Sequence, residues 1–397
     1  MSTTMPLTAR RVGLGQFVRY FLYLGSLGFG GPVALAGFMH RDLVEKERWV
    51  AEEEYQLALA LAQIMPGPLA AQLAIALGYF QHGIVGATAV GLAFTVPSFL
   101  MVVGVSLAYV RFGGLWWMQA LFYGIGAAVI AIIAIAAYRL SRSTNKRDPL
   151  LWGIFGALSI VTVVAQAELA EFFVLAGLAV LFVRVRPGRR EALMAGVGGL
   201  GVVAAIWLIE RWFLTVGVGG EDVLLQILLF FTKAGAFVFG SGLAIVPFLQ
   251  QGVVQQFGWL TDHQFLDAVA VAMITPGPVV ITVVFIGFLV AGLLGAIAAA
   301  VGIFLPVYVF TVVPAPWFSR NRDNVQLRAF VQGATAAATG ALSGAVVVLA
   351  TRAIYDIPTA GIALATLAIL WRYRIPEPIV VLAAAAAGLV IWLGRGA

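Results

Sequence analysis

The sequence predicts an all-α integral membrane protein, with two homologous halves forming inverted-topology repeats, broken helices and about 13 spans (10–13). Three observations predict it. First, the 397 residues are 62% hydrophobic and 11% charged, with a mean hydropathy of +1.00, whereas soluble domains carry about 25% charged residues. Second, apolar runs of ~20 residues recur from Phe17 to Trp392, the length an α-helix needs to cross a hydrocarbon core of ~30 Å. These runs lack the polar–apolar alternation of membrane barrel strands. Third, the second half repeats the first at an offset of 210 residues.

Hydropathy and charged breaks place spans near 17–39, 55–80, 84–110, 115–138, 150–165, 168–183 and 192–209. Six more are expected near 223–250, 264–290, 292–313, 327–351, 357–371 and 377–394. Residues 1–16 hold Arg10 and Arg11 without an apolar core and cleavage site, so they read as an uncleaved cytoplasmic tail. With the N-terminus inside, 16 of the 24 Lys and Arg residues fall on the cytoplasmic side, as the positive-inside rule asks. Arg41, Lys46 and Arg48 then lie outside. The net charge of +6 is thereby read as topology, not as affinity for nucleic acid. The chain has no cysteine, which excludes disulfides and thiolate metal sites.

At the 210-residue offset, Phe29-Gly30 meets Phe239-Gly240, Trp49 meets Trp259, and Pro66-Gly67-Pro68 meets Pro276-Gly277-Pro278. From Phe29 to Pro68 the two copies share 13 identities in 40 ungapped positions. The expected division is an N-terminal repeat at 10–191, a linking span and loop at 192–222, and a C-terminal repeat at 223–397. Six spans per half plus one linking span make the halves enter the membrane from opposite sides, an architecture common among secondary transporters.

The duplicated Pro-Gly-Pro is the first candidate site. Proline lacks an N–H and pushes the preceding residue out of α geometry. Each copy is therefore expected to interrupt a span about 11 residues in, or ~17 Å deep, and to start a new half-helix. A helix N-terminus offers free N–H groups and partial positive charge, so it can hold an anion without a full charge in the bilayer. A plain structural kink is the competing explanation. Thr275, just before Pro276, is placed to cap or touch a ligand. Gly30 and Gly31, with Gly240 and Ser241, form a second candidate wall, because small residues open the backbone to a ligand or let helices approach. Lys233 is an intramembrane cation whose counterpart is Tyr23; its alternatives are snorkelling or pairing with Asp267. Arg41, in His40-Arg41-Asp42, is a candidate entrance residue, while His82 and His263 read as solvated loop residues.

No phosphate loop, His-Glu-x-x-His or Gly-x-Ser-x-Gly motif occurs, which disfavours ATP hydrolysis and a membrane-embedded enzyme. No cofactor or metal is expected.

Together, Phe29-Gly30-Gly31-Pro32, Met39-His40-Arg41 to Val44-Glu45, Trp49, Gln63 to Gly67-Pro68 and Gly78-Tyr79 resemble the chromate transporter family. The second-half copies resemble its long, two-domain members. The resemblance implies export of chromate across a bacterial inner membrane, energised by the proton-motive force, with sulfate as an isosteric competitor. It adds Gln63 to the candidate site. The partners expected are the oxyanion and the bilayer, with a homodimer left open. A sulfate or other small-anion transporter or channel is the alternative. The copies differ, since Arg41 becomes Gln251 and Pro32 becomes Gly242, so unequal roles are expected for the halves.

Overall fold

A computed structural model describes residues 12–29, 31–113, 115–165, 170–185, 188–190, 193–201, 203, 204, 208, 222–237, 242–321, 324–373 and 375–394. The described residues are helical, without strands. The first half runs through α1 (Leu14–Leu27), α2 (Gly31–Met39) with a π-helical turn (His40–Lys46), and α3 (Glu52–Ile64). It continues through α4 (Leu69–Phe112), α5 (Trp116–Asn145), α6 (Pro149–Ala165) and α7 (Ala170–Val185).

The second half repeats the order. After α8 (Val223–Ala236) come a 3₁₀ turn (Gly242–Ile245), α9 (Val246–Gln250) and a second π-helical turn (Gln251–Gln256). Next are α10 (Asp262–Ile274), a 3₁₀ turn (Val279–Ile281), α11 (Thr282–Val312) and α12 (Ala315–Asn321). Three helices close the chain: α13 (Val325–Ala353), α14 (Ile357–Arg372) and α15 (Glu377–Gly394). Polar side chains start several of them by accepting from otherwise unpaired first-turn N–H groups. Asp222 does so for α8, and Thr261 with Gln264 forms a capping box on α10.

The repeat extends to fine geometry. Both π-helical turns end with two N–H groups on one carbonyl: Trp49 and Val50 on Leu43, Trp259 and Leu260 on Val253. Arg48 (φ 55) and Gly258 (φ 62) share the left-handed conformation just before the tryptophan. Within α4, His82 and Gly83 leave helical geometry, and Ala291 and Gly292 do so in α11 with nearly the same angles.

These breaks are chain reversals. In a straight helix residues 75 and 91 would stand ~24 Å apart, yet a Cβ built on Gly91 lies 3.2 Å from the Ile75 side chain. Residues 69–81 and 84–112 thus form a helical hairpin. Pro-Gly-Pro makes another, because Gln81 Nε2 donates to Glu54 Oε1 and Oε2 at 2.8 and 2.9 Å. Residue 54 starts α3 and residue 81 ends the arm after the break, so the two lie side by side. In the second half, Tyr109 touches both Asp267, before the break, and Phe285, after it. The spans expected near 55–80 and 264–290 are therefore folded-back pairs, not helices broken end to end. The reason is Gly67 (φ 146) and Gly277 (φ 100), which turn the chain where an L side chain is strained.

The Gly-rich segments fold back likewise, so the spans near 17–39 and 223–250 are also corrected. Tyr20 on α1 meets Trp49, 6.4 Å between ring centroids. Phe230 on α8 meets Phe248, Phe257 and Trp259. Among the described residues, five helical segments are long and apolar enough to cross a membrane: Leu69–Phe112, Trp116–Asn145, Val279–Phe318, Val325–Ala353 and Glu377–Gly394. The first and third contain the reversals at residues 82–83 and 291–292.

Packing between halves is reciprocal. Helix α5 packs on α13, α14 and α15, while α13 packs on α5, α6 and α7. Small residues permit both crossings: Gly124 backs onto Ala384 and Gly388, and its counterpart Gly333 onto Ala176 and Gly177. Replacing Gly124 or Gly333 with Leu should push side chains into backbone and destabilise the protein by about 1–3 kcal/mol or more. The thermal unfolding midpoint in detergent should fall for each variant, while a Gly104→Leu control, whose Cβ meets open space, should hold.

Candidate functional site

Each Pro-Gly-Pro forms the tip of a helical hairpin. Each arm of the first hairpin has 13 residues, about 20 Å of helix, long enough to reach past the midpoint of a ~30 Å hydrocarbon core. At the opposite end sit Phe17, Tyr20, His40, Trp49, Glu52 and His82. His82 is no free loop residue: its ring packs on Phe17 at 5.9 Å and its Nε2 is buried.

The second-half tip is bound to the first half. Gly277 N–H donates to the Gly28 carbonyl at 3.0 Å. Ser98 Oγ, fully buried on α4, donates to the Pro276 carbonyl at 2.7 Å and lies 3.3 Å from the Gly25 carbonyl. A Cβ on Gly277 would collide with Ser98 Oγ. Thr275 Oγ1 donates back to Val271 at 2.6 Å, so its proton is committed within α10. After Pro278, the 3₁₀ turn replaces the α-helical start seen in the first half.

The first-half tip is built differently. Its first intrahelical N–H bond is Gln72 to Pro68 at 3.1 Å, which leaves the Leu69, Ala70 and Ala71 N–H groups ahead of the ladder. Gln72 is fully buried, and its Nε2 donates to the Pro66 carbonyl at 2.8 Å. Its Oε1 is buried without a partner among the described residues. The amide lies against Gly67, where any Cβ would overlap it. The two tips thus share a sequence motif but not a bonding state.

Of the other sequence-derived candidates, Gly31 (φ 75) opens α2 with space around it, and Gln63 is exposed. Pro68 is buried and Pro66 half-buried at the tip. Gly30, Gly240 and Ser241 lie outside the described residues. Lys233 is half-buried with its ammonium 5.4 Å from the Phe248 ring centroid, a cation–π position. Asp267, 8% exposed, accepts from Tyr109 Oη at 2.7 Å. Arg41 is half-exposed beside Asp42 at 3.0 Å and over the Phe38 ring. Nearby, hydrogen bonds from Gln56 and His40 hold the Glu52 carboxyl below its usual range. No group of three metal-ligating side chains occurs among the described residues. Gln72 and Ser98 are uncharged and stand outside the sequence-derived candidates; the available signal for Gln72 was a lone polar side chain in the apolar run 69–78.

Removing the Ser98 hydroxyl should leave the Pro276 carbonyl unsatisfied in a dry setting, at about 1–3 kcal/mol. Ser98→Ala should therefore lower the unfolding midpoint, and Gly277→Ala, which adds strain and a clash, should lower it further.

Residues 15–209 and 225–389 match the family described as Chromate transporter. The chain is 56% identical over 389 residues to a chromate transport protein of Cupriavidus metallidurans, covering 97% of this chain and 95% of that one. It is 52% identical over 383 residues to a probable chromate transport protein of Synechococcus elongatus, covering 96% of each. A chromate transport protein of Pseudomonas aeruginosa is 32% identical over 394 residues, covering 96% of this chain and 93% of that one. No solved structure matches the chain. The chain therefore belongs to the chromate transporter family, in its long form with two family segments.

Proposed function

We propose that the protein is a secondary transporter that exports chromate across a bacterial inner membrane and thereby confers chromate resistance. The observation that carries this reading is the unequal pair of tips. The second-half tip is locked by Ser98 and Gly28, whereas the first-half tip keeps three leading N–H groups and an unpartnered amide oxygen. The substrate site is accordingly assigned to Pro66, Gly67 and Pro68 with the following helical turn. Pro276, Gly277 and Pro278 act as the structural abutment.

Topology supports inverted halves once the hairpins are treated as re-entrant. Each half then crosses four times, at residues 84–112, 116–145, 149–165 and 170–185 and at their counterparts, with one further crossing by the linking segment. From a cytoplasmic N-terminus, the 40–54 turn returns to the cytoplasm with Arg41, Lys46 and Arg48, and 19 of the 24 basic residues become cytoplasmic. The equivalent 251–263 turn faces outward and contains no Lys or Arg. This asymmetry of one structural element is what inversion requires under the positive-inside rule. Arg41 then stands at the loading side for export. The boundaries at 10–191, 192–222 and 223–397 follow the same division.

Energetics favour efflux. Each charge moved through about 100 mV is worth ~2.3 kcal/mol, so a dianion leaving a negative-inside cell gains ~4.6 kcal/mol, a bias of roughly a thousandfold. Sulfate export on the same frame is the second reading, since both anions are tetrahedral dianions.

Cysteines introduced in the 40–54 and 251–263 turns should label from opposite faces, with 40–54 cytoplasmic; labelling from one face would refute the inverted arrangement. In inside-out vesicles, labelled chromate should accumulate saturably when the interior is made positive, and reversing the potential should abolish accumulation. A flux indifferent to the imposed potential would refute electrophoretic export.

A further inference from the structure

The first-half tip has a chemical peculiarity that bears on which anion it takes. Gln72 Nε2 is committed to the Pro66 carbonyl at 2.8 Å, and that bond fixes the orientation of the amide, since a flip would set two oxygens against each other. What remains is Oε1, buried and without a partner among the described residues. A buried acceptor left unsatisfied destabilises the tip until a donor reaches it. An amide oxygen can only accept hydrogen bonds, so it repels the bare oxygens of a dianion. The leading N–H groups of Leu69, Ala70 and Ala71, one turn away on the same helix, can only donate.

A ligand that satisfies both must present anionic oxygens to the N–H groups and one O–H to Gln72. We propose that Gln72 is a specificity-determining residue, whose Oε1 receives the O–H of a monoprotonated tetrahedral oxyanion bound at the Pro66-Gly67-Pro68 tip. This rests on the transport reading above and deepens it. The chromate dianion takes up one proton near neutrality, whereas the sulfate dianion does so only in strong acid. The two dianions have the same charge and shape, and only protonation separates them at cellular pH. An acceptor at the site converts that difference into discrimination.

The second half cannot offer the same chemistry. Three residues of 3₁₀ helix at ~2.0 Å rise cover the length of four α-helical residues at ~1.5 Å, and the repeat offset falls from 210 at Pro276 to 209 at Gly287 and Pro306. At the 210-residue offset the Gln72 level is held by Thr282, whose Oγ1 donates to the Val279 carbonyl at 2.9 Å. Among the described residues, charged groups on the other elements packed against α4 are engaged away from the tip: His40, in the turn after α2, bonds Glu52 at the start of α3, and Asp267 of α10 bonds Tyr109 on the other arm of α4. The acidic residues of α3 stand at the far end of the hairpin beside Gln81, about 14 Å of helix from Gln72. Arg19 lies toward that same end of α1, Arg111 ends the other arm of α4, and α11 contains no Asp, Glu, Lys, Arg or His.

The test is equilibrium binding of labelled chromate to the purified full-length protein across a pH series, with sulfate as competitor. Wild-type affinity should drop about tenfold for each pH unit above chromate's second ionisation, and sulfate should compete poorly throughout. Gln72→Met should weaken binding about tenfold at the lower end of the series and narrow the gap between chromate and sulfate. Gln72→Glu should bind only when its carboxyl is protonated, because that form keeps both a donor for Pro66 and an acceptor. A wild-type affinity independent of pH, or sulfate competing as an equal, would overturn the inference while leaving chromate transport standing. Absence of chromate binding at any pH would overturn both. In vesicles, the charge moved per chromate should be one, in place of the two reckoned above for the dianion, so the electrical bias on export is set by a single charge; this readout needs no variant.

Discussion

Satisfying backbone polar groups inside an apolar slab is the constraint on which this fold depends. A straight helix meets it internally, but a reversal at membrane depth exposes N–H and C=O groups with no water to take them. The two Pro-Gly-Pro tips make such reversals, and their remedies differ. Prolines delete N–H groups outright at Pro66, Pro68, Pro276 and Pro278. In the second half, Ser98 Oγ of the first half donates to the Pro276 carbonyl and the Gly28 carbonyl accepts from Gly277 N–H. At the first-half tip, Gln72 supplies the Pro66 carbonyl with a donor, and the Leu69, Ala70 and Ala71 N–H groups precede the helical ladder.

That inequality gives a physical basis for asymmetric function on a duplicated frame. Two identical tips facing one another would offer two equivalent anion sites, or none if both were latched. Here the second-half tip is latched to Gly28 and Ser98 of the first half, while the first-half tip is closed by its own Gln72. Glycine permits both arrangements: at Gly67 it accommodates the Gln72 amide, and at Gly277 the Ser98 hydroxyl. The same residue type in the same motif thus admits a potential ligand-binding group in one copy and a structural one in the other. Around the tips, reciprocal packing of α5 and α13 on the opposite half ties the two repeats into one body.

Much of this was legible in the chain. Trp49 against Trp259 and the paired Pro-Gly-Pro identified the repeat, and the structure carries it into the π-helical turns and the reversals at His82-Gly83 and Ala291-Gly292. The family resemblance rested on the same residues. Hydropathy, however, counted the hairpins as single spans. Two half-length helices joined by a turn have the composition and combined length of one crossing helix, and a window average cannot register a reversal of direction. The partner of Asp267 was out of reach for a related reason: Tyr109 comes from 158 residues away.

By itself, then, the sequence determined the α-helical membrane class, the duplication, the family and the two Pro-Gly-Pro tips, because each is a local property of composition or spacing. Only the tertiary structure decided that the tips fold back instead of breaking a span, and that one is latched while the other keeps Gln72 Oε1 unpartnered. Those facts depend on which carbonyl reaches which donor across the halves. Ser98 and Pro276 are 178 residues apart and 2.7 Å from bonding partner to bonding partner, a proximity fixed by helix packing that no local pattern encodes.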